Sequence, residues 1–267
     1  MANIFEKNKT YLGDCLELMP QMESGMFDMI LTDLPYQTTN LGWDVAIDME
    51  ALWYEYYRTA KENAAIVLFG SQPYTSKLIL SNIEYFKYEW IWHKNKVTNV
   101  LNAKKQPLKA HENILVFYRK QPTYNPIKER RSENSHTKGE QIFEGKGIYA
   151  GKNKIMISPK VDKDSLSYPK SVKYFKSVHS VGKNKTIHPT QKPVPLFEYL
   201  IKTYTNEGDL ILDNCAGSGT TGEACFNTGR NYIQIEKEQK YFDLILGREK
   251  SFNKKDLYDG TLFETQM

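Results

Sequence analysis

"DLILDNCAGSGTTGEACFNTGRNYIQIE", residues 209–236, decides the fold of this chain. Its apolar opening reads as a strand that ends at Asp213. Gly217, Gly219 and Gly222 then supply GxGxxG spacing, in which backbone approaches a ligand closely while a helix begins. A second strand follows and ends at Glu236, 19 residues after Gly217, where a carboxylate can accept hydrogen bonds from ribose hydroxyls. Strand, glycine turn, helix, strand and terminal acid in that order point to the nucleotide-binding half of an open α/β sheet. A glycine turn that serves only tight helix–sheet packing is the weaker reading.

Only 45 residues follow Gly222, enough for one helix, one strand and a closing helix. The other strands must therefore come from residues 1–120, which makes the domain circularly permuted relative to an ordinary dehydrogenase. Residues 1–120 hold suitable segments: "DMILTD", "AAIVLFG", "YEWIWHK" and "NILVFYRK" are short apolar runs rich in β-branched and aromatic residues, suited to strands buried on both faces. "MEALWYEYYRTAKEN" places Leu52, Tyr56 and Ala60 on one helical face. Nearer the glycine turn, "VPLFEYLIKTYTNEG" reads as a helix closed by Gly208, and "KEQKYFDLILGREKSF" as a closing amphipathic helix. Such alternation predicts a doubly wound, mostly parallel, Rossmann-like sheet with ligands bound beyond the carboxyl ends of its strands.

One strand of residues 1–120 ends oddly. "LTDLPYQTTN", residues 31–40, runs an apolar strand into Asp33, Leu34, Pro35 and Tyr36. Aspartate is a poor strand residue and proline cannot continue a ladder, so the strand stops at Asp33. On a permuted sheet this turn and the glycine turn can lie on the same rim.

Composition narrows the classes. With 267 residues and 40% apolar content the chain can bury an ordinary core. No run of about 18 apolar residues occurs, and "MANIFEKNKT" lacks the apolar core of a secretory signal, so a cytoplasmic protein without a membrane partner is expected. Cys15, Cys215 and Cys225 are widely spaced and fit small buried residues in a reducing compartment. His93, His111, His136, His179 and His188 never approach one another at metal-ligand spacing, and no metal is expected.

The net charge of +4 is unevenly spread: Gln121 to Lys192 holds 15 Lys and Arg against 6 Asp and Glu, leaving 21 against 26 elsewhere. In this basic middle, Gly, Ser, Lys and Asn interrupt any sustained period, and Tyr124, Tyr149, Tyr168, Tyr174 and Phe175 recur among the lysines. Charge alone fits two accounts: a solvated insertion loop, or a surface that neutralises phosphates while aromatic rings supply stacking contacts.

"DLPY" at 33–36, upstream of "DNCAGSGTTG" and separated from it by a basic insertion, resembles the β-group of S-adenosylmethionine-dependent DNA amino-methyltransferases. "TYLGDCLELM", "HENILVFYRKQPTYNP" and "HPTQKPVPLFEYLI" are similar to that family's segments in the family's order, so the resemblance extends over most of the chain. It departs at Leu34, where the family usually has a second proline; a backbone carbonyl is what the chemistry needs there, and leucine also supplies one.

The resemblance implies a class I methyltransferase domain in three parts: a catalytic half over 1–120, an inserted target-recognition region over 121–185 and a cofactor-binding half over 186–267. It implies that Asp33 and the Leu34 carbonyl accept the two protons of an exocyclic amine, that Pro35 stiffens the turn and that Tyr36 stacks on an extruded base. The cofactor, S-adenosyl-L-methionine, would meet Asp213 and the Gly217, Ser218, Gly219, Thr220 and Thr221 turn at its methionine portion. Glu236 would meet its ribose and Asp14 its adenine, with Gln191 and Lys192 closing the pocket. Double-stranded DNA would be the partner. In the family an Asp at the first motif position accompanies adenine targets, so Asp33 favours adenine N6, with cytosine N4 as the alternative. A nucleotide-dependent oxidoreductase would share the glycine turn and Glu236 but gives no reason for "DLPY" or the basic insertion. The oligomeric state stays open, a homodimer included, as does any partner endonuclease.

Overall fold

The computed structural model describes residues 4–36, 47–130, 141–143, 156–158, 166–178 and 191–255; His136, Tyr149, His179 and His188 lie outside them. The chain divides into two compact units, one of Met1–Asn125 with Ser171–Met267 and one of Pro126–Lys170.

The larger unit is built on an eight-stranded sheet. Its strands are β1 (Lys9–Leu12), β2 (Phe27–Thr32), β3 (Ala60–Gly70), β4 (Phe86–Thr98), β5 (Lys109–Phe117), β10 (Val172–Tyr174), β11 (Leu210–Asp213) and β12 (Asn231–Glu236). They lie in the order β1-β12-β11-β2-β3-β5-β4-β10. All neighbours are parallel except the pairs that β5 makes with β3 and with β4. The C-terminal β11 and β12 are thus inserted between the N-terminal β1 and β2. The glycine turn and the "DLPY" turn both leave the carboxyl rim of adjacent strands, because Ile211 and Leu212 pair with Met29 and Ile30.

Period-2 alternation sends successive side chains to opposite faces, and both faces are apolar. Ile30, Ile66, Leu68, Leu115, Leu212 and Ile233 face one core. Met29, Leu31, Val67, Phe69, Val116 and Ile211 face the other. On the first face lie α1 (Cys15–Leu18), α2 (Met49–Thr59) and α3 (Tyr74–Leu80), which contribute Cys15, Leu52, Tyr56 and Leu78. On the second lie α4 (Val194–Tyr204) and α5 (Thr220–Asn227), which contribute Phe197, Leu200, Ala224 and Cys225. A closing helix, α6 (Gln239–Lys255), buries Ile245 and Phe252. No described helix is long and apolar enough to cross a membrane, and no metal-holding group of His, Cys, Asp and Glu occurs among the described residues.

Four features differ from the sequence expectation. The helix read over "MEALWYEYYRTAKEN" ends at Thr59, whose hydroxyl bonds the Glu55 carbonyl at 2.7 Å, and Ala60 turns straight into β3. Gly208 does not close α4: Thr205 already takes an extended conformation, and Gly208 serves the following turn in the left-handed region at φ +86°. The strands β4 and β5 form an antiparallel hairpin instead of alternating with helices. Finally, Val172–Tyr174, inside the basic middle, adds a parallel edge strand to β4.

The smaller unit holds two antiparallel ladders, Glu129–Arg130 (β6) with Leu166–Ser167 (β9), and Gln141–Phe143 (β7) with Met156–Ser158 (β8). Its Lys128 ammonium lies 5.2 Å from the Tyr168 ring centre, within cation–π range.

Candidate active site

The carboxyl rim of the sheet opens into a cavity of about 520 Å³ in the larger unit. Its wall includes Asp14, Asp33, Leu34, Pro35, Tyr36, Gln191, Lys192, Asp213, Gly217, Ser218, Thr220 and Glu236. Two turns separated by about 180 residues of sequence therefore share one chamber. Gly219 and Thr221 stand behind the wall. Gly219, at φ +72°, precedes α5, and a Cβ there would come within 3.1 Å of Ile245. Thr221 gives its hydroxyl hydrogen to Asp213. Gly222 lets α5 lie close to β12: a Cβ there would meet the Gln234 Oε1 at 2.5 Å and the Tyr232 ring at 3.2 Å, so those side chains would have to shift.

The glycine turn is tied down by two carboxylates. Glu236, at the end of β12, accepts the Gly217 N–H at 2.7 Å and the Glu238 N–H at 2.8 Å. Burial raises its pKa, and those two donors partly restore it. Asp213, at the end of β11, accepts the Cys215 N–H at 3.2 Å in addition to Thr221. Burial dominates there and pushes its pKa up to about 6 from an ordinary 3.8. A group whose folded pKa is raised contributes stability that is complete below its unfolded pKa and is lost as pH rises through the folded value. Ionised Asp213 therefore costs the ligand-free fold about 3 kcal/mol at pH 7. Asp213→Asn is expected to raise the melting temperature of the ligand-free protein at pH 7, with the gain gone by about pH 4. Equal gains at both pH values would show that the charge on Asp213 is not what destabilises the fold.

At the other turn, the Asp33 side chain is 21% exposed. Its Oδ1 accepts the Tyr36 hydroxyl at 2.6 Å, and its Oδ2 is paired with the buried Lys192 ammonium. The Tyr36 ring stacks on Tyr74 with centroids 5.1 Å apart. Burial raises the Asp33 pKa against the pull of Lys192. Burial also opposes charge on Lys192, but the Asp33 and Glu112 carboxylates outweigh it and hold the ammonium protonated.

Lys94 and Glu112 complete the cluster, and the sequence reading did not single them out. Lys94 Nζ pairs with Glu112 Oε1 at 2.8 Å; the other Glu112 oxygen is buried without a hydrogen-bond partner, 3.6 Å from Lys192 Nζ. Burial raises the Glu112 pKa, yet Lys192 and Lys94 outweigh it and leave it lowered. The cluster thus alternates carboxylate and ammonium: Asp33, Lys192, Glu112, Lys94. Glu112 reaches the cavity because β5 runs against its neighbours, so its amino end faces the rim where they present their carboxyl ends. The Thr220 hydroxyl bonds the Lys192 carbonyl at 3.3 Å and joins the Lys192 segment to the glycine turn. Asp14 caps α1 by accepting the Leu16 N–H at 2.9 Å and pairs with Lys237 at 2.8 Å.

Asp14, Asp33, Asp213 and Glu236 line the chamber together with Lys94, Lys96, Lys192 and Lys237, Leu16, Ile47 and Phe197 supply apolar wall, and its volume lies within the usual range for small-molecule sites.

A family model described as DNA methylase, N6_N4_Mtase, matches residues 27–247. The Type II methyltransferase M.HpaI of Haemophilus parainfluenzae is 28% identical over 261 residues, covering 92% of this chain and 76% of that protein. M.BglII of Bacillus subtilis, also a Type II methyltransferase, is 26% identical over 263 residues, covering 89% and 67%. Among solved structures, the M1.HpyAVI–SAM complex superposes with a TM-score of 0.58 at 25% identity, over 90% of this chain and 98% of that one. The cytosine-N4-specific PvuII DNA methyltransferase shares the fold, with a TM-score of 0.63 at 16% identity over 93% and 91% of the two chains.

Proposed function

Because the chain belongs to the DNA methylase family, whose members transfer methyl from S-adenosylmethionine to an exocyclic amine of DNA, we propose that its target is the N6 amine of adenine, extruded from the duplex into the rim cavity. The observation that carries this reading is Asp33, a carboxylate at the head of the "DLPY" turn and in the same chamber as the glycine turn. S-Adenosylmethionine, when bound, supplies an electrophilic methyl group on a sulfonium.

The chain's residues supply the rest. An amine conjugated to its ring is a poor nucleophile, and it gains reactivity when its two hydrogens are held by acceptors that draw its lone pair out of conjugation. The Asp33 carboxylate and the Leu34 carbonyl are those acceptors. As the N–C bond forms, the methyl C–S bond would break with its electron pair going to sulfur, leaving a neutral thioether, and the amine proton would pass to Asp33 and from there to water. Tyr74 covers one face of the Tyr36 ring, and the remaining face stacks on the base. Pro35 restricts the turn between them. Preorganised acceptors of this kind, with positioning, supply most of the rate without a covalent intermediate.

Lys192 cannot keep its full hold on Asp33 once an amine arrives. Glu112 offers the second seat, since its unpartnered oxygen lies 3.6 Å from the ammonium. On the cofactor side, Glu236 takes the ribose hydroxyls, Asp14 the adenine end, and Asp213 with Gly217, Ser218 and Thr220 the methionine end. Gly219 and Thr221 support that wall, Gln191 and Lys192 close it, and residues 121–185 contact the target duplex.

The experiment is incubation with methyl-labelled cofactor and DNA, then digestion to nucleosides. N6-methyladenine is expected. N4-methylcytosine would move the target to cytosine, and DNA without label would end the proposal.

A further inference from the structure

We infer that the tip of the β4–β5 hairpin, Asn99–Leu108, is a wedge that enters the DNA duplex at the target pair, with Leu101 and Val100 taking the space the extruded base vacates. The inference rests on the base-extruding transfer proposed above.

The hairpin presents apolar side chains where burial would ordinarily be selected. Leu101 is 101% exposed and Val100 63%, with Val97 and Leu108 also open. One exposed leucine is unremarkable; an adjacent pair at the apex of a projecting hairpin calls for a partner. The apex is also closed on itself. Asn99 takes a left-handed conformation at φ 68°, and its side-chain oxygen accepts the Asn102 Nδ2 at 2.6 Å. The Asn102 N–H bonds the Asn99 carbonyl at 3.0 Å and the Ala103 N–H bonds the Val100 carbonyl at 3.1 Å. Such a turn holds Val100 and Leu101 outward.

Charge and position identify the partner. From Asn95 to His111 the chain carries Lys96, Lys104, Lys105 and Lys109 and no acidic residue. Lys96, Lys104 and Lys105 are exposed. An exposed apolar turn flanked in the chain by exposed lysines suits a polyanion with a stacked apolar interior, which is a nucleic-acid duplex. The hairpin is also continuous with the chamber, because Lys96, Val97 and Thr98 line its wall just before the apex. Leucine is among the side chains that open a base step by insertion, and such insertion offsets the unstacking that extruding a base requires.

The test uses the full chain with Val100 and Leu101 both replaced by Ala, and, as a rescue, Leu101→Met alone. The methylated motif is first read from DNA labelled by the parent protein. Two duplexes then carry it, one fully paired and one with an abasic site opposite the target. The double variant is expected to lose at least ~10-fold in kcat/KM on the paired duplex. On the abasic duplex, where the wedge has less to do, it stays within about twofold of the parent. Leu101→Met retains transfer on both. Equal loss on both duplexes, or no loss on the paired one, overturns the wedge. A changed oligomeric state with undiminished transfer overturns it too and assigns the tip to a protein contact. Parent protein that labels no DNA in the first step yields no motif and overturns the proposed transfer itself, a result distinct from any of these.

Discussion

Asp33→Ala is expected to lower methyl transfer by at least ~10³-fold while cofactor affinity stays within about threefold. The asymmetry follows from position. Asp33 ends β2, and its carboxylate contacts Tyr36 and Lys192, whereas the glycine turn is held by Glu236 and Asp213. Removing Asp33 deletes the acceptor that orients the amine and leaves the turn's own hydrogen bonds intact. The fold should tolerate the change because Glu112 remains close enough to Lys192 to neutralise it. Single-turnover rates and a cofactor titration check both halves of the expectation. Comparable losses in the two would show that Asp33 helps form the cofactor wall, and the division of roles would fail.

Lys192→Met should produce the second large effect, with a signature in pH. Without the ammonium, half-buried Asp33 loses its principal counter-charge and still feels Glu112, so its pKa rises further. Protonated Asp33 cannot accept from the amine. Transfer at pH 7 should fall by ~10²-fold and recover towards pH 9, while the parent shows a lower-lying rise. Lys192→Arg, which keeps the charge, should retain the parent's pH profile. A loss in Lys192→Met that does not vary between pH 7 and 9 would remove Lys192 from the control of Asp33.

What the sequence disclosed tracks where burial was two-sided. Ile30, Ile66, Leu115 and Ile211 belong to apolar runs whose alternate residues face two cores, and such runs are visible without knowing their neighbours. The acids at strand ends, Asp33, Asp213 and Glu236, were visible for the same reason: each interrupts a run that physics would otherwise extend. Glu112 was not visible, because its value depends on the direction of β5, and no residue in "HENILVFYRK" encodes direction. The resemblance implies Lys192 at the cofactor pocket, and it lines that chamber; its pairing with Asp33, 159 positions distant in the chain, has no signal in the sequence. The end of α4 is not legible in the sequence, because a glycine beyond a helix is the usual stop, whereas here Thr205 extends first. The Leu101 apex carries no periodic signal at all; its exposure is a property of the hairpin.

The insertion of β11 between β12 and β2 also governs when the protein becomes a catalyst during its own synthesis. A nascent polypeptide that has emerged only as far as the basic middle already displays the tetrapeptide and the hairpin, yet the strand beside β2 is missing and half the chamber does not exist. The chamber therefore cannot form until translation has passed Glu236, and a product terminated before β11 lacks the glycine turn altogether.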